Sequence, residues 1–224
     1  MNKIKDYKIL KTLYTLKSFG YKYIDSIDTQ NSYNNTISLP NDLNLLNNIV
    51  NNCTLCSFSK HRKNVLFSYG KASSKIMIVT FSPTELEDSE GMFYTGKAGE
   101  LIYNIVTKVF NYNIDDVYIT SLSKCRVVYN DNNLTDNINI CKNYLLKQIE
   151  LLNPKIILFF GQNVYEYMIE CDNFEQIKGN IFEWANYKVL ATYEHMHILK
   201  NPTLKKEVFE SMLKVKNFME SNNV

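Results

Sequence analysis

The sequence predicts an α/β fold with a parallel sheet covered by helices on both faces. Three observations carry this. Residues 75–81 (KIMIVTF), 116–122 (DVYITSL) and 155–161 (KIILFFG) are short apolar runs without the alternation of a half-exposed strand. Segments with helical spacing of apolar residues separate them, so strand and helix alternate along the chain. Each run ends in a polar, loop-like stretch, where sites form in such sheets.

Taken in order, residues 5–18 carry Ile9, Leu10, Leu13 and Leu16 on one helical face, which Gly20 stops. Residues 25–40 are polar and aperiodic and read as a linker. Asn41 or Asp42 caps a second helix expected to bury Leu45, Leu46, Ile49 and Val50 and to end at Cys53. After the strand at 75–81, residues 83–99 read as a long loop in which Gly91, Gly96 and Gly99 supply backbone freedom. A helix with Ala98, Leu101, Ile102, Ile105, Val106 and Val109 on one face follows, then the strand at 116–122 and a helix over 136–152. The strand at 155–161 leads to a short helix at 162–169 and a hairpin of residues 181–184 and 188–193. The last helix starts at Asn201-Pro202, a cap followed by proline in the first turn, and buries Val208, Met212, Val215 and Met219. The site is expected in the loops 82–97, 123–135 and 194–201. The expected organisation is a helical N-terminal extension over 1–50 and one domain over 51–224.

A chain of 224 residues with 45% hydrophobic and 21% charged residues fits a globular protein with one sizeable core. A formal net charge of +2 neither demands nor excludes a nucleic-acid partner, because a basic patch is a local property. No apolar run approaches 18 residues and the start lacks an apolar leader, so neither a membrane partner nor secretion is expected. A monomer in the cytoplasm is the expectation. There, a C-x-x-C pair reads as metal-binding or redox-active more readily than as a disulfide.

Cys53 and Cys56 form that pair, and Cys125 and Cys141 lie sixteen positions apart in the stretch from strand to helix. Four thiolates suit zinc or an iron–sulfur cluster. Zinc ribbons usually use two close pairs, and here only one pair is close. The uneven frame fits a [4Fe–4S] cluster better, with Zn as the alternative. Cys171 reads as a small buried hydrophobe. The chain lacks G-x-x-x-x-G-K-[ST] and G-x-G-x-x-G, so no phosphate-loop motif supports a nucleotide-handling protein.

From Cys53 onward the chain resembles family 4 uracil-DNA glycosylases, the iron–sulfur branch of that superfamily. The matching pieces run in order: CTLC at 53–56, Glu87-Asp88 with Gly91, Gly96-x-Ala98-Gly99, VYIT at 117–120, KCR at 124–126, Asn130, Cys141, Pro154-Lys155, Gly161, Lys178-Gly179, Thr192-Tyr193 and Leu199-x-x-Pro202. The resemblance implies a three-layer α/β/α glycosylase fold around a central, mainly parallel four-stranded sheet. It also implies a [4Fe–4S] cluster on Cys53, Cys56, Cys125 and Cys141, and DNA as partner. The implied chemistry flips a base into a pocket and hydrolyses its bond to deoxyribose. That needs an aromatic platform, a group that reads the base edge, donors for the leaving anion and a carboxylate near the attacking water.

Several of those positions depart from the family pattern. Phe81 replaces the glutamate of the first motif, beside Ser82 and Pro83. Tyr94 replaces the platform phenylalanine and keeps a stacking ring. Ser121 replaces the base-reading asparagine; a hydroxyl both donates and accepts, so selectivity for uracil should fall. Glu194 and His195 replace the His-Pro pair. Two readings follow. In one, an enzyme of altered specificity uses His195 or His197 toward the leaving base and Glu85, Glu87 or Glu194 toward water. In the other, a non-catalytic DNA-binding module keeps a structural cluster. In both, Lys124, Arg126 and Lys200 are expected at phosphates, with further basic residues at Lys60, His61, Arg62, Lys63, Lys205 and Lys206. Ile198 and Leu199 are expected as wedges into the duplex. The plainer alternatives are a solvated acidic loop for Glu85, Glu87 and Asp88, loop histidines for His195 and His197, and core packing for Ile198 and Leu199.

Overall fold

The computed structural model describes residues 39–170 and 173–222. The expected helix at 5–18, most of the linker and Cys171 lie outside the described residues. The first described helix, α1 (Leu43–Asn51), is capped by Asp42, whose carboxylate accepts from the Leu45 N–H at 2.8 Å. It buries Leu46 and Val50 against Phe67 and Tyr144, while Leu45 and Ile49 face outward, against expectation. A three-residue spacing picks neighbours on a helix but not which of two adjacent stripes turns inward. This helix packs on the α/β body and ends at Asn51, two residues before Cys53.

Strands β1 (Ile76–Thr80), β2 (Val117–Ser121), β3 (Ile156–Phe160), β4 (Ile181–Trp184) and β5 (Tyr187–Thr192) form one sheet in the order β2-β1-β3-β5-β4. The first three and β5 are parallel, and β4 pairs antiparallel with β5 at the edge. The sheet therefore has five strands rather than four: the first arm of the hairpin joins it as an edge strand. Residues of β1, β2 and β3 are buried throughout, as continuous apolar runs require.

Alternate strand residues divide the core. Ile76, Ile78, Ile119, Leu158 and Leu190 face α3 (Gly96–Asn104), its π-helical continuation Ile105–Val109, and α8 (Lys205–Ser221). Met77, Val79, Phe159 and Val189 face α4 (Leu134–Leu152) and α5 (Gln162–Ile169). Three layers result, in agreement with the expected class. Two short helices fall where the sequence suggested loops: α2 (Glu85–Glu90) after β1 and α7 (His195–Lys200) after β5. Another, α6 (Phe174–Ile177), precedes β4. No described helix is long and apolar enough to cross a membrane.

Candidate active site and cysteine centre

Parallel strands put their carboxyl ends on one edge, and the site residues gather there. Phe81 follows β1, Ser121 ends β2, Gly161 follows β3 and Glu194 follows β5. Gly161 has φ +117°, and a Cβ there would sit 3.4 Å from the Glu194 Cβ. A cleft of ≈ 300 Å³ opens at this edge, lined by Phe81, Gly161, Asn163, Tyr193, Glu194 and His197, among others.

Tyr94, the residue expected as platform, is tightly placed. Tyr94 has φ +53°, a left-handed backbone that is uncommon for a side chain of this size. Its N–H donates to Glu87 Oε1 at 2.9 Å. The other carboxylate oxygen, Oε2, accepts from the N–H and hydroxyl of Thr84 at 2.9 and 3.0 Å, while the Thr84 hydroxyl caps the Glu87 N–H. This is a reciprocal capping box. Helix α3 starts directly against Tyr94: a Cβ on Gly99 would fall 1.8 Å from the Tyr94 carbonyl atoms. The Tyr94 ring meets the edge of Tyr69, 4.6 Å between centroids, and the Tyr69 hydroxyl donates to Asp115. Asp88 accepts from the backbone N–H of Lys63 and Asn64 at 3.0–3.1 Å. Glu87 and Asp88 are therefore buried anchors, not a solvated loop. Every bond of the Glu87 carboxylate goes to its own loop, and burial raises its pKa.

The base-reading expectation for Ser121 does not fit its surroundings. Its side chain is fully buried, and its hydroxyl donates to the Ser123 carbonyl at 2.7 Å. Lys124 is likewise buried, and its ammonium donates to Thr120 Oγ1 and the Ser121 carbonyl at 2.6 Å each. Desolvation lowers it to about 7, against the pull of the neighbouring Cys141 and Cys125. A contact of this side chain with phosphate is thereby corrected to an internal strut under β2. Ile198 is fully buried in the core, so of the two expected wedges only Leu199, half-buried, retains surface. Lys200 is exposed. Arg126 is half-buried and pairs with Glu85 at 3.1 Å.

Glu194 is half-buried on the cleft wall, and burial raises its pKa against the opposing charges of Lys200 and His197. His197 is exposed, its ring lying on Tyr193 at 5.8 Å and 15°. His195 turns the other way and is 3% exposed. Its Nδ1 has no partner among the described residues, and desolvation lowers it to about 4. It is a neutral core histidine rather than a loop histidine at the cleft. Phe81 is buried and stacks with Tyr129 (6.3 Å) and Tyr167 (6.1 Å), both at 27°. Ser82 lies beside it, half-buried.

Sequence reasoning missed Tyr129 and Tyr167, since lone tyrosines in a loop and a helix carry no spacing signal. It also missed α2, although Thr84-Glu85-Leu86-Glu87 is a legible capping-box signature.

The four cysteines lie in one electrostatic neighbourhood. The Cys125 thiol feels Cys56 and Cys53, and Cys141 feels Cys125 and Cys56. Cys125 and Cys141 are buried, and Cys53 and Cys56 partly so. Two neighbours that sequence did not suggest donate to the sulfurs: Arg62 Nη1 to Cys125 Sγ at 3.2 Å, and the Tyr144 hydroxyl to Cys53 Sγ at 3.5 Å. Among the described residues no three His, Cys, Asp or Glu side chains stand close enough for one metal ion. The chemistry of the donors is what bears on an iron–sulfur cluster. An all-sulfur donor set with cationic and hydroxyl donors on its sulfurs fits such a cluster. Burial pushes the Cys141 thiol up to about 11, so its thiolate needs a positive partner.

Comparison with known proteins gives a consistent picture. The family model described as the uracil DNA glycosylase superfamily matches residues 67–215. The chain is 32% identical to a Type-4 uracil-DNA glycosylase of Saccharolobus solfataricus over 192 residues, which cover 82% of this chain and 89% of that protein. A Type-4 uracil-DNA glycosylase of Sulfurisphaera tokodaii is 32% identical, covering 73% and 79% of the two chains. One from Thermotoga maritima is 29% identical, covering 76% and 91%.

Proposed function

The chain belongs to the uracil DNA glycosylase superfamily, and from that membership we propose that it is a DNA-repair glycosylase, hydrolysing the bond between a deaminated base and deoxyribose with Glu194 as its cleft carboxylate. The observation that carries this reading is the meeting of Phe81, Glu194 and His197 on one cleft at the carboxyl edge of the sheet. Tyr94, which lies outside the lining of that cleft, is the aromatic ring proposed to stack on the flipped base. The C1′–N bond breaks with its electron pair leaving on the base, and positive charge develops on the sugar. Glu194 stabilises that charge and takes a proton from the water whose oxygen bonds to C1′. His197, exposed on the same cleft, is the donor proposed for the base anion. Phe81, stacked with Tyr129 and Tyr167, makes the wall apolar where the family pattern carries an acid. With Ser121 turned inward, no side chain at that position reads the base edge, and selectivity falls on shape and backbone.

Cys53, Cys56, Cys125 and Cys141 would hold a [4Fe–4S] cluster. When bound, the cluster would supply a rigid tie between the C-x-x-C segment, the loop after β2 and α4.

The test is base release from deoxyuridine in single-stranded DNA by anaerobically purified protein, beside Glu194→Gln. The native chain should release uracil, and the variant should be about 10²- to 10³-fold slower. No release of uracil, hypoxanthine or xanthine from their deoxynucleotides overturns the reading. The inward hydroxyl of Ser121 is the observation that favours a binding module instead. That alternative predicts DNA held tightly with no base released by either protein.

A further inference from the structure

Arg126 leaves the sheet from a fixed point. The carbonyl of Lys124 accepts from the Leu66 N–H at 2.9 Å, and that of Cys125 accepts from the Ser123 hydroxyl at 2.8 Å. The side chain that follows is 35% exposed and, among the described residues, makes one ion pair, Nη1 to Glu85 Oε1 at 3.1 Å. Its Nε is buried without a hydrogen-bond partner among the described residues. The Glu85 side chain is 87% exposed. It stands in the first turn of α2, next to the capping box but with no part in it.

We propose that Arg126 is a phosphodiester site on the DNA backbone, held shut in the free protein by Glu85, whose carboxylate occupies the place a phosphate takes. This rests on the reading of DNA as substrate. A guanidinium offers a planar fork of donors that suits two oxygens at once. Glu85 meets Nη1, and an anion in its place would use the terminal Nη1/Nη2 face rather than the buried Nε. The two non-bridging oxygens of a phosphodiester satisfy the fork more fully. The arrangement is easily exchanged: an ion pair with one partner so exposed is worth little in water. The more buried half is the cation and the more exposed half is its internal anion, which is the order needed for displacement by a ligand. The site also adds selectivity, since a lone anion must compete with a tethered carboxylate, whereas a strand that binds at the cleft brings its phosphate at high local concentration.

The experiment is a double-mutant cycle on binding of a fluorescent single-stranded oligonucleotide carrying one deoxyuridine, with full-length cluster-bearing protein. Glu85→Gln should tighten binding about two- to fivefold. In the Arg126→Gln background that gain should vanish. Arg126→Gln alone should weaken binding and lower the slope of log affinity against log salt by about 0.7. Glu90→Gln, the same charge change in the last turn of α2, should give no such coupling to Arg126. Arg126→Lys keeps the charge and loses the fork, and in that background the Glu85→Gln gain should shrink. This milder pair decides the matter if the glutamine variant does not fold. The proposal is overturned if Glu85→Gln binds like the native chain, or if its gain survives without Arg126. A native chain that binds no oligonucleotide overturns the DNA reading and the proposal together, and differs visibly from bound DNA without coupling.

Discussion

His195 and Glu194 are neighbours with opposite titrations. His195 is buried neutral, its pKa lowered by desolvation from 6.5 to about 4. A histidine whose folded pKa is depressed contributes stability that is present above pH 6.5 and is lost as pH falls toward 4. The full shift corresponds to roughly 3 kcal/mol. Glu194 has its pKa raised by burial, so its effect on stability has the other sign: favourable below the ordinary glutamate value and lost as pH rises through its folded value. Glu194 is only half-buried and solvent screens it, so His195 should dominate. Chemical unfolding of the native chain should therefore show stability falling between pH 6.5 and 4, and His195→Leu should flatten that fall. Base release should also drop on acidification, because Glu194 as the proposed base must be ionised, and burial moves the midpoint upward from that of an ordinary glutamate. Glu194→Gln should remove that limb from the rate profile and leave the unfolding profile largely unchanged.

At the scale of elements, the segment from β1 to α3 carries Tyr94, the proposed platform. Helix α2 has only six residues, too short to persist without help, and its capping box supplies that help. The same carboxylate holds the Tyr94 N–H, so one residue couples helix formation to ring placement. Glu87→Ala should cost about 1–2 kcal/mol for the lost cap, read by thermal unfolding. It should also slow base release more than oligonucleotide binding weakens, because Tyr94 loses its hold. Gly99→Ala places a methyl 1.8 Å from the Tyr94 carbonyl atoms. Backbone has to move, and this variant should lose more activity than Glu87→Ala while α3 gains the better helix former. Equal rates for Gly99→Ala and native protein would show that the close approach does not set the platform.

For the whole molecule, what was legible in the sequence depended on how periodic the signal was. The strands and α5 lie within a residue or two of their expected bounds, because continuous apolar runs and helical spacing report burial directly. Short capped helices such as α2 and α7 were not legible as helices, since six residues show too little periodicity. The inward turn of Ser121, Lys124 and His195 was hidden for another reason: polar residue types suggest solvent, and only the packing under β2 and α7 reveals internal partners or burial. Spacing picked out the four cysteines as candidates, but not the donors Arg62 and Tyr144, which come from other segments. Those donors give the last prediction. A cluster on the four thiols would tie the segment after α1, the loop after β2 and α4, which lie far apart in the chain. Metal binding at such a place is folding free energy for the segments it joins. Cys141→Ala should lose iron, and hydrogen exchange should quicken in residues 53–66 and 123–133 while β1 and β3 stay protected. Arg62→Leu keeps all four ligands but removes a charged donor from Cys125. It should keep iron, lower the reduction potential of the bound cluster and speed its loss to a chelator. Zinc in place of iron in the native chain, with no visible absorption from a cluster, would assign the same four thiols to the simpler metal.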